Sequence, residues 1–439
     1  MNRKFFSLTI IMTFILSIAG VANAQDVTIR YALWDTNQLP AYEECAAVFE
    51  EANPGIDIVI EQLGWDDYWT AITTGFVTGD TPDVFTNHLA KYPEFLVLEQ
   101  IVDIQPLVER DGVATDIYLD GLADLWTRDG GRYGLPKDWD TVAVVYNAEM
   151  LEAAGVEASE LSELTWNFDD GGSFEEMVAR LSIDANGNNG LSEDFDASDV
   201  VQYGFLYDSS GGFSGQTQWS AFAGSTGWHF TDGEVWAEEY FYADERFINT
   251  VDWYFSLVEK GFAPPLSDVQ GLGQLAMFQS QQGALGLDGS WMIGSYVVSD
   301  FEVGFARLPE GPEGRASMFN GLADSIWTGT ENLEESWEWV KFLGSADCQQ
   351  IVGESGVVFP AVPEAAEVSL NVRLDNGIDV SAFTDQAFEE GGTFLFPITD
   401  FGGEIATIMQ ETTDAIALGE MDAATALTEA NEEVNSLFE

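Results

Sequence analysis

The segment VTIRYALWDTNQLPAYEECAAVFEEANPGIDIVIEQ, at residues 27–62, decides the fold. Residues 27–34 form a largely apolar run rich in strand-forming side chains. Apolar residues then recur at helical spacing, namely Tyr42, Cys45, Phe49 and Ala52. Pro54 and Gly55 end that helix, and residues 56–61 carry isoleucine at every second position, as a strand does. A strand, a helix and a strand of this length predict a parallel pair with a right-handed crossover.

The ends of these strands are where a binding site is expected. A second helix is predicted around residues 66–77, and a third short strand at 83–86. Parallel sheets bind ligands outside the carboxyl ends of their strands. Those ends carry Trp34-Asp35 and Asn87-His88, so we expect these residues to converge on one edge of the sheet.

A third strand end stands out further along the chain. Residues 283–289 (GALGLDG) are small, largely apolar and Gly-rich, as in a buried strand, yet Ser290 and Trp291 follow at once. An indole at an open strand end offers a flat apolar face beside polar groups, which suits a sugar ring. The alternative is that Trp291 covers the core, as most tryptophans do.

Composition and charge restrict the classes of protein. The 439 residues suffice for two domains, and an apolar content of 46% with 30 Phe and 14 Trp can build a large core. The formal net charge of −61 argues against nucleic acid and anionic lipid as partners. Self-repulsion of this size destabilises a compact chain unless salt screens it, so we hypothesise a salty habitat.

The N-terminus has the features of a cleaved signal peptide at residues 1–24. Arg3 and Lys4 precede an uncharged apolar run, and residues 22–24 (ANA) form a small-x-small cleavage pattern. The run is shorter than the ~20 residues of a spanning helix, which favours a signal over a membrane anchor. Loss of the two bases takes the net charge from −61 to −63. No cysteine stands at the cleavage point, so we expect a periplasmic or extracellular protein without a lipid anchor.

Cysteine and histidine are scarce. Export permits a disulfide between Cys45 and Cys348, but pairing depends on their Cα separation, and two separate buried thiols fit equally well. With two cysteines and two histidines, a His/Cys metal site or a thiol nucleophile is poorly supported. The sequence also has no Gly-x-Ser-x-Gly elbow and no Gly-Lys phosphate loop.

The middle of the chain supplies two more motifs. The segment GRYGLPKDWDTVAVVYNAEM, at residues 131–150, predicts a tight turn followed by a strand at 141–146. A short strand at 203–207 leads into a Gly- and Ser-rich loop at 208–228 that carries Phe213 and Trp219. Flexible loops with embedded aromatics are more often binding surface than core.

With these segments in place, the chain resembles the family 1 extracellular solute-binding proteins, the sugar-binding components of ABC importers that include maltose-binding protein. The likeness spans nearly the whole mature chain. It rests on the order and spacing of several motifs, which are VTIRYALWD, GDTPDVF, YGLPKDWDTVAVVYNAEM, GALGLDGSWMIGSY, SWEWVKFLGSADCQQ and FPITDFGGEIATIM.

The resemblance implies an α/β fold of two lobes joined by a multi-crossing hinge, the type II-like periplasmic-binding-protein fold. Each lobe is then discontinuous, with lobe I at 25–136 plus 306–363 and lobe II at 137–305 plus 364–439. It further implies a monomer that captures a sugar or oligosaccharide in the cleft, closes over it, and delivers it to an ABC transporter permease. No enzymatic activity is expected.

The resemblance also implies roles for particular residues. Trp291 matches the family's stacking tryptophan. Asp140, six residues before Tyr146, stands where relatives carry an acidic sugar ligand, since a carboxylate accepts two hydroxyl donors. The candidate ligand-binding residues are Trp34, Asp35, Asn87, His88, Asp140, Phe213, Trp219, Trp291, Asn320, Gly321 and Phe401, with Lys137 and Trp139 as weaker candidates. Near Asn87 and His88 the family's aromatic and acidic contacts are not clearly kept, which leaves the sugar undetermined.

Residues 184–196 (DANGNNGLSEDFD) invite a calcium hypothesis. Asp184, Asn186 and Asn188 have the one-three-five oxygen spacing of a calcium loop. Asn189 and Phe195 then occupy positions where that loop needs Gly and Glu. A polar surface turn is the favoured interpretation, with calcium as the alternative and no other cofactor expected.

Two rival functions stay open. A secreted glycoside hydrolase would share an aromatic cleft and needs two carboxylates at a fixed separation, which 76 acidic residues could supply by chance. A binding protein for a polyol, a compatible solute or a peptide would share the fold. A cationic solute would favour an aromatic cage, whereas scattered aromatics suit a sugar better.

Overall fold

A computed structural model describes residues 27–208, 214–233 and 235–439. The predicted signal peptide at 1–24 and the predicted ligand contact Phe213 lie outside the described residues.

The strands fall into three sheets. The described chain contains fourteen strands, β1 Val27–Leu33, β2 Ile56–Gln62, β3 Val84–His88, β4 Thr127–Arg128, β5 Gly131–Arg132, β6 Leu135–Asp140, β7 Val142–Asn147, β8 Ile183–Asp184, β9 Val200–Leu206, β10 Gly283–Gly289, β11 Val303–Ala306, β12 Ser317–Ile326, β13 Phe359–Pro360 and β14 Thr393–Leu395.

Helices cover both large sheets and fill the C-terminal quarter. The described chain contains eighteen α-helices, α1 Leu39–Ala52, α2 Trp65–Thr78, α3 Tyr92–Val97, α4 Gln105–Asp111, α5 Ala148–Ala153, α6 Ala158–Leu161, α7 Gly172–Leu181, α8 Ser220–Gly224, α9 Glu245–Glu259, α10 Leu266–Leu272, α11 Gln274–Gln279, α12 Ile293–Tyr296, α13 Leu333–Leu343, α14 Ala346–Ser355, α15 Pro363–Asp375, α16 Ser381–Phe388, α17 Gly402–Ala417 and α18 Ala423–Ser436.

The first sheet confirms the predicted strand-helix-strand start. Its strand order is β13-β6-β12-β3-β1-β2, with β14 paired to the early part of β12. β1 lies parallel to both β2 and β3, with Val27 opposite Ile56. β12 returns antiparallel between β3 and β6. The carboxyl ends of β1 and β3 therefore lie at the same edge, as the sequence predicted.

The second sheet has the order β11-β7-β10-β9-β8. β10 spans Gly283–Gly289, the bounds predicted from sequence, and it is parallel to β9 and antiparallel to β7. Each sheet centres one lobe, and the molecule has the two-lobed fold that the resemblance implied.

The chain passes between the sheets more than once. Thr141 separates β6 of the first sheet from β7 of the second. β12 begins against β14 and continues between β3 and β6, so a single strand serves both sides of the hinge. α15 packs on α14, and α16 packs beside β7 and β12. The lobe boundaries at 136/137, 305/306 and 363/364 stay predictions.

An aromatic stack holds the hinge strands together. Trp139 on β6 lies between Phe319 on β12 and Phe359 on β13, at centroid distances of 5.8 and 4.9 Å and interplanar angles of 18° and 17°. Its side chain is buried. Trp139, a weaker candidate for ligand contact, is therefore a packing residue of the hinge.

The two cysteines are joined. Cys45 on α1 and Cys348 on α14 form a disulfide with a Cα–Cα distance of 5.4 Å, well inside the range that a disulfide requires. The bond closes a loop of 303 residues and ties together two helices that pack on each other. The alternative left open by the sequence is thereby decided. Within the described ranges, no helix is long and apolar enough to cross a membrane.

Candidate ligand-binding cleft

An aromatic cluster occupies the edge where β1 and β3 end. We call it the cleft cluster, and its members are Trp34, Trp65, Tyr68 and Trp69. The Trp34 ring lies 5.1–5.4 Å from the other three rings and 6.4 Å from the His88 ring. Trp65, at the first position of α2, is 45% exposed, and Trp34 is half-buried. The cluster thus presents indole surface to the cleft from a rigid sheet edge.

Asn87 and His88 are held by polar contacts within the first lobe. Asn87 is fully buried and donates from Nδ2 to Ser325 Oγ at 3.1 Å. His88 Nδ1 accepts the Ala90 backbone N–H at 3.0 Å, and Nε2 lies 3.0 Å from the Asn320 amide. Burial lowers the pKa of His88 to about 3, so this ring is neutral at ordinary pH.

Asp140 and Asn320 form the polar floor of the cleft. The Asn320 amide donates to Asp140 Oδ2 at 3.1 Å, while Gln216 of the second lobe donates to Asp140 Oδ1 at 2.7 Å. Burial raises the pKa of Asp140 well above its usual range. The predicted residues His88, Asn320 and Asp140 therefore meet in one hydrogen-bonded chain.

Two further predicted residues flank this floor. Gly321 approaches Leu122 so closely that a Cβ would lie 2.4 Å from its Cδ1, so only glycine fits there without movement. Asp35 accepts the Asn37 backbone N–H at 2.8 Å and the Gln38 side-chain amide at 3.1 Å, and burial raises its pKa.

Several contacts join residues of the two predicted lobes. Arg128 of the β4-β5 hairpin makes a two-pronged ion pair with Asp400, at 2.7 and 2.8 Å. The Arg128 guanidinium also lies 4.2 Å from the Trp236 ring, whose Nε1 donates to Thr127 O at 2.9 Å. Trp236 has φ +57°, an uncommon conformation for a bulky residue that its surroundings must hold.

Other cross-cleft contacts are smaller. Phe396 meets the His88 ring edge to face at 5.3 Å, and Asn37 Nδ2 reaches Ser295 Oγ at 3.5 Å. Trp291 is half-buried just after β10, and its ring folds back over Gly289, where a Cβ would lie 1.9 Å from the indole. The lack of a side chain at Gly289, two residues before Trp291, thus makes room for the indole ring.

Trp219 lies in the interior of the second lobe and not at the cleft. It is fully buried at the centre of what we call the core cluster, which consists of Trp219, Trp228, Phe230 and Phe247. Gly215, with φ +55°, lets the preceding turn lie directly on the Trp219 ring. The expectation that this loop aromatic contacts ligand is corrected here, because its indole faces the interior of the second lobe.

Phe401 lies at a surface position. It has φ +61° at the start of α17, is 41% exposed, and packs edge to face against Phe438 at 5.2 Å. Ala90 O lies 3.2 Å from the Cβ position of the neighbouring Gly402, so the start of α17 borders the first lobe. The ring contact of Phe401 is with Phe438 and not with a ring of the cleft cluster.

A buried charged group underlies the floor of the cleft. Lys137 Nζ donates to Tyr31 OH and Thr86 Oγ1, each at 2.8 Å, and lies 4.0 Å from Asp324. Its contacts are internal to the first lobe, which makes Lys137 a structural residue. Burial raises the pKa of the neighbouring Asp138 to about 7, and its Oδ2 has no hydrogen-bond partner.

In the loop of the calcium hypothesis, the Asp184 carboxylate already accepts hydrogen bonds from other residues of the same loop. Asp184 Oδ1 accepts the backbone N–H groups of Asn186 and Asn188 at 2.9 and 2.8 Å. Its Oδ2 accepts Asn188 Nδ2 at 3.1 Å and the Asp196 N–H at 3.0 Å. Asp184 thus accepts four donors that stabilise the turn, and calcium binding to this loop stays a prediction.

Several cleft residues escaped the sequence analysis. Trp65, Gln216, Trp236 and Lys91 carry no motif, although a tryptophan at a helix start just past a strand end could have been singled out. A separate surface cavity of about 510 Å³ lies on the second lobe, between α6 and α7, and is lined by Ser159, Glu160, Glu163, Leu164, Ser173, Glu176, Met177 and Arg180.

Comparisons with known proteins agree with the two-lobed fold. The family model for bacterial extracellular solute-binding proteins matches residues 34–350. A binding protein of Brucella abortus is 24% identical over 447 residues, covering 97% of this chain and 96% of that protein. A maltooligosaccharide ABC transporter solute-binding lipoprotein of Streptococcus pneumoniae is 25% identical over 355 residues, covering 79% and 74%. An ABC substrate-binding protein of Listeria monocytogenes, solved with cycloalternan, superposes with a TM-score of 0.80 at 17% identity, covering 94% and 99%.

Proposed function

This chain belongs to the bacterial extracellular solute-binding proteins, and we propose that it captures a sugar or oligosaccharide between its lobes and delivers it to an ABC transporter permease. The observation that carries the proposal is the cleft cluster beside the polar floor. Indole faces accept the C–H face of a pyranose, and Asp140 and Asn320 supply acceptors and donors for its hydroxyls. A neutral polyhydroxylated ring needs both kinds of surface at once.

Closure over the sugar is the proposed signal to the permease. The Arg128–Asp400 ion pair and the Gln216–Asp140 hydrogen bond join the two predicted lobes, and we expect an opening of the cleft to break them. A sugar that contacts both lobes would add to these interactions and shift the equilibrium toward the closed form. A monomer is sufficient for this cycle.

The descriptions of similar proteins are consistent with a saccharide as the ligand. The pneumococcal relative is described as a maltooligosaccharide binder, and the Listeria structure holds cycloalternan. We propose export by cleavage after residue 24. Whereas the pneumococcal relative is described as a lipoprotein, we propose a form without a lipid anchor, since no cysteine follows the cleavage pattern.

Calorimetric titration against a panel of sugars, oligosaccharides and polyols tests the proposal. Product formation is assayed on the same samples. Tight binding of a saccharide without turnover is the expected result. Turnover would identify a glycoside hydrolase, and binding of a polyol or compatible solute alone would identify a carrier of another solute class.

Trp291 gives a second arm to this test. We expect Trp291→Ala to weaken binding of the selected saccharide by at least tenfold, because the indole lies just past the carboxyl end of β10, where we propose that the sugar ring stacks. Trp327→Ala, at the opposite end of β12 from the hinge, serves as the matched control. Unchanged affinity in Trp291→Ala would reject its assigned role while leaving the rest of the site in place.

A further inference from the structure

Lys91 differs from the other cations of the chain. Among the lysines and arginines that the structure describes, it is the one whose side chain makes neither an ion pair nor a hydrogen bond. The others pair with carboxylates or, for Arg180 and Arg373, donate to backbone carbonyls. The chain has 76 acidic residues against 15 basic ones, so an unpaired lysine requires an explanation.

The acid closest to Lys91 in sequence is Glu94, and it makes no ion pair with Lys91. Glu94 lies one turn along α3, and its Oε2 is 3.7 Å from the Cβ position of Gly403 at the start of α17. A carboxylate at that place is favoured by the positive end of the α17 dipole. Glu94 therefore lies beside the start of α17, and among the described residues no carboxylate oxygen lies within 4 Å of the Lys91 ammonium.

Lys91 lies on the cleft cluster. Its backbone N–H donates to His88 O at 2.9 Å, and its partly buried ammonium sits 5.9 Å from the centroid of the Trp69 ring. Trp69 in turn lies 5.4 Å from both Trp34 and Trp65. The unpaired charge is thus positioned beside the indole faces that are proposed to hold the sugar ring.

Trp69 adds a second donor without an acceptor. Its indole Nε1 is buried and has no hydrogen-bond partner among the described residues. An unpaired buried N–H costs about 1–3 kcal/mol. The Nε1 atoms of Trp126, Trp166, Trp219 and Trp339 are unpaired as well, and Trp69 differs from them in lying beside a cation. The Lys91 ammonium and the Trp69 indole N–H both belong to the cleft cluster and its border, and neither has a hydrogen-bond acceptor among the described residues.

We propose that Lys91 and Trp69 select a saccharide that carries a carboxylate, such as a uronic acid unit. The carboxylate would accept from the ammonium and from the indole N–H, and its pyranose ring would stack on Trp34 or Trp65. A neutral sugar hydroxyl would bind these two donors less strongly than a carboxylate does, because a charge-assisted hydrogen bond is about twice as strong as a neutral one. This inference rests on the proposed function and specifies its substrate class.

A matched pair of ligands tests it. Trigalacturonate and its methyl ester share linkage, length and ring shape and differ in charge. Isothermal titration at about 0.15 M ionic strength should show the acid binding at least tenfold more tightly than the ester. At that ionic strength the Debye length of ~8 Å screens the long-range repulsion from the net charge of −61, whereas a partly buried ion pair with Lys91 is screened much less.

Three variants test whether the preference for the acid over the ester depends on Lys91 and Trp69. Lys91→Met keeps the aliphatic stem without the charge, so the acid should lose affinity and bind within twofold of the ester. Trp69→Phe keeps a ring without the N–H and should reduce the preference about threefold. Lys260→Met, which removes a lysine paired with Glu175 in the second lobe, should preserve the full preference. Thermal melting checks that each variant folds.

The outcomes separate this inference from the function beneath it. Equal affinity of the wild type for acid and ester, or a preference that survives in Lys91→Met, overturns it. Binding of neutral oligosaccharides with rejection of the acid also overturns it but leaves the sugar-binding function intact. Failure of the wild type to bind any saccharide would contradict both this inference and the proposed sugar-binding function.

Discussion

The cleft cluster and the core cluster are built from the same residue types and have opposite environments. The core cluster buries Trp219 completely, with Trp228 and Phe247 stacked at 4.3 Å beside it. The cleft cluster has comparable ring spacings, yet Trp65 leaves 45% of its surface exposed. The difference teaches that ring-to-ring packing does not distinguish core from site. What distinguishes them is whether a face remains open beside polar groups.

Removing the central ring of the core cluster should have the largest effect. We expect Trp219→Ala to lower the free energy of unfolding by about 3–5 kcal/mol, because it leaves a cavity that surrounding rings cannot fill. Urea denaturation measures the loss. Saccharide affinity of the protein that remains folded should be unchanged, and a selective loss of affinity instead would place Trp219 in the site.

The mirror experiment concerns the cleft cluster. Trp65→Ala should weaken saccharide binding by at least tenfold, about 1.4 kcal/mol, since it removes a stacking face. The unfolding free energy should change by less than ~1 kcal/mol because the side chain is half exposed. A stability loss as large as that of Trp219→Ala would erase the distinction between the clusters.

The pH dependence of stability gives the next test, because Asp138, a carboxyl group with a raised pKa, lies beneath the cleft floor. Burial raises the pKa of Asp138 to about 7, whereas an unfolded aspartate titrates near ~4. The folded protein therefore holds a proton that the unfolded chain releases, and stability should fall as pH rises from about 4 to 7. Asp138→Asn should flatten this slope by on the order of 1 kcal/mol, as measured by urea denaturation at several pH values. Asp66→Asn, on the surface, should leave the slope as it is.

The smallest effect is expected at the contact that closes the cleft. Arg128→Met removes the ion pair with Asp400, which is partly exposed and so contributes only modestly. Saccharide affinity should fall about threefold, mainly through faster dissociation measured by stopped-flow fluorescence. Arg246→Met breaks an ion pair with Asp244 inside the second lobe and should not alter dissociation. Equal effects of the two variants would mean that the Arg128 contact has no role in closure.

Sequence patterns predicted the scaffold well for a physical reason. The parallel β1-β2 pair and the bounds of β10 follow from period-two hydrophobicity and from turn residues, which act over a few neighbours. The convergence of Trp34 and His88 followed from the rule for parallel strand ends. Asp140 and Asn320 were singled out by resemblance, and the structure shows them hydrogen-bonded to each other.

The environment of individual aromatics could not be predicted. Trp219 sits in a Gly- and Ser-rich loop that is typical of binding surface, but the turn at Gly215 folds it inward through long-range contacts that no local pattern records. Trp65 is exposed because α2 starts at the strand edge, a tertiary property. Lys91 is notable only for a partner that it lacks, which becomes visible when all charges are placed in three dimensions.

A crystal structure of the protein with its best-binding saccharide tests the central claim most directly. The account predicts a pyranose ring within about 4 Å of the Trp34 or Trp65 indole, with at least one hydrogen bond from the second lobe. A saccharide bound outside the cleft, with both indoles free of contact, would contradict it.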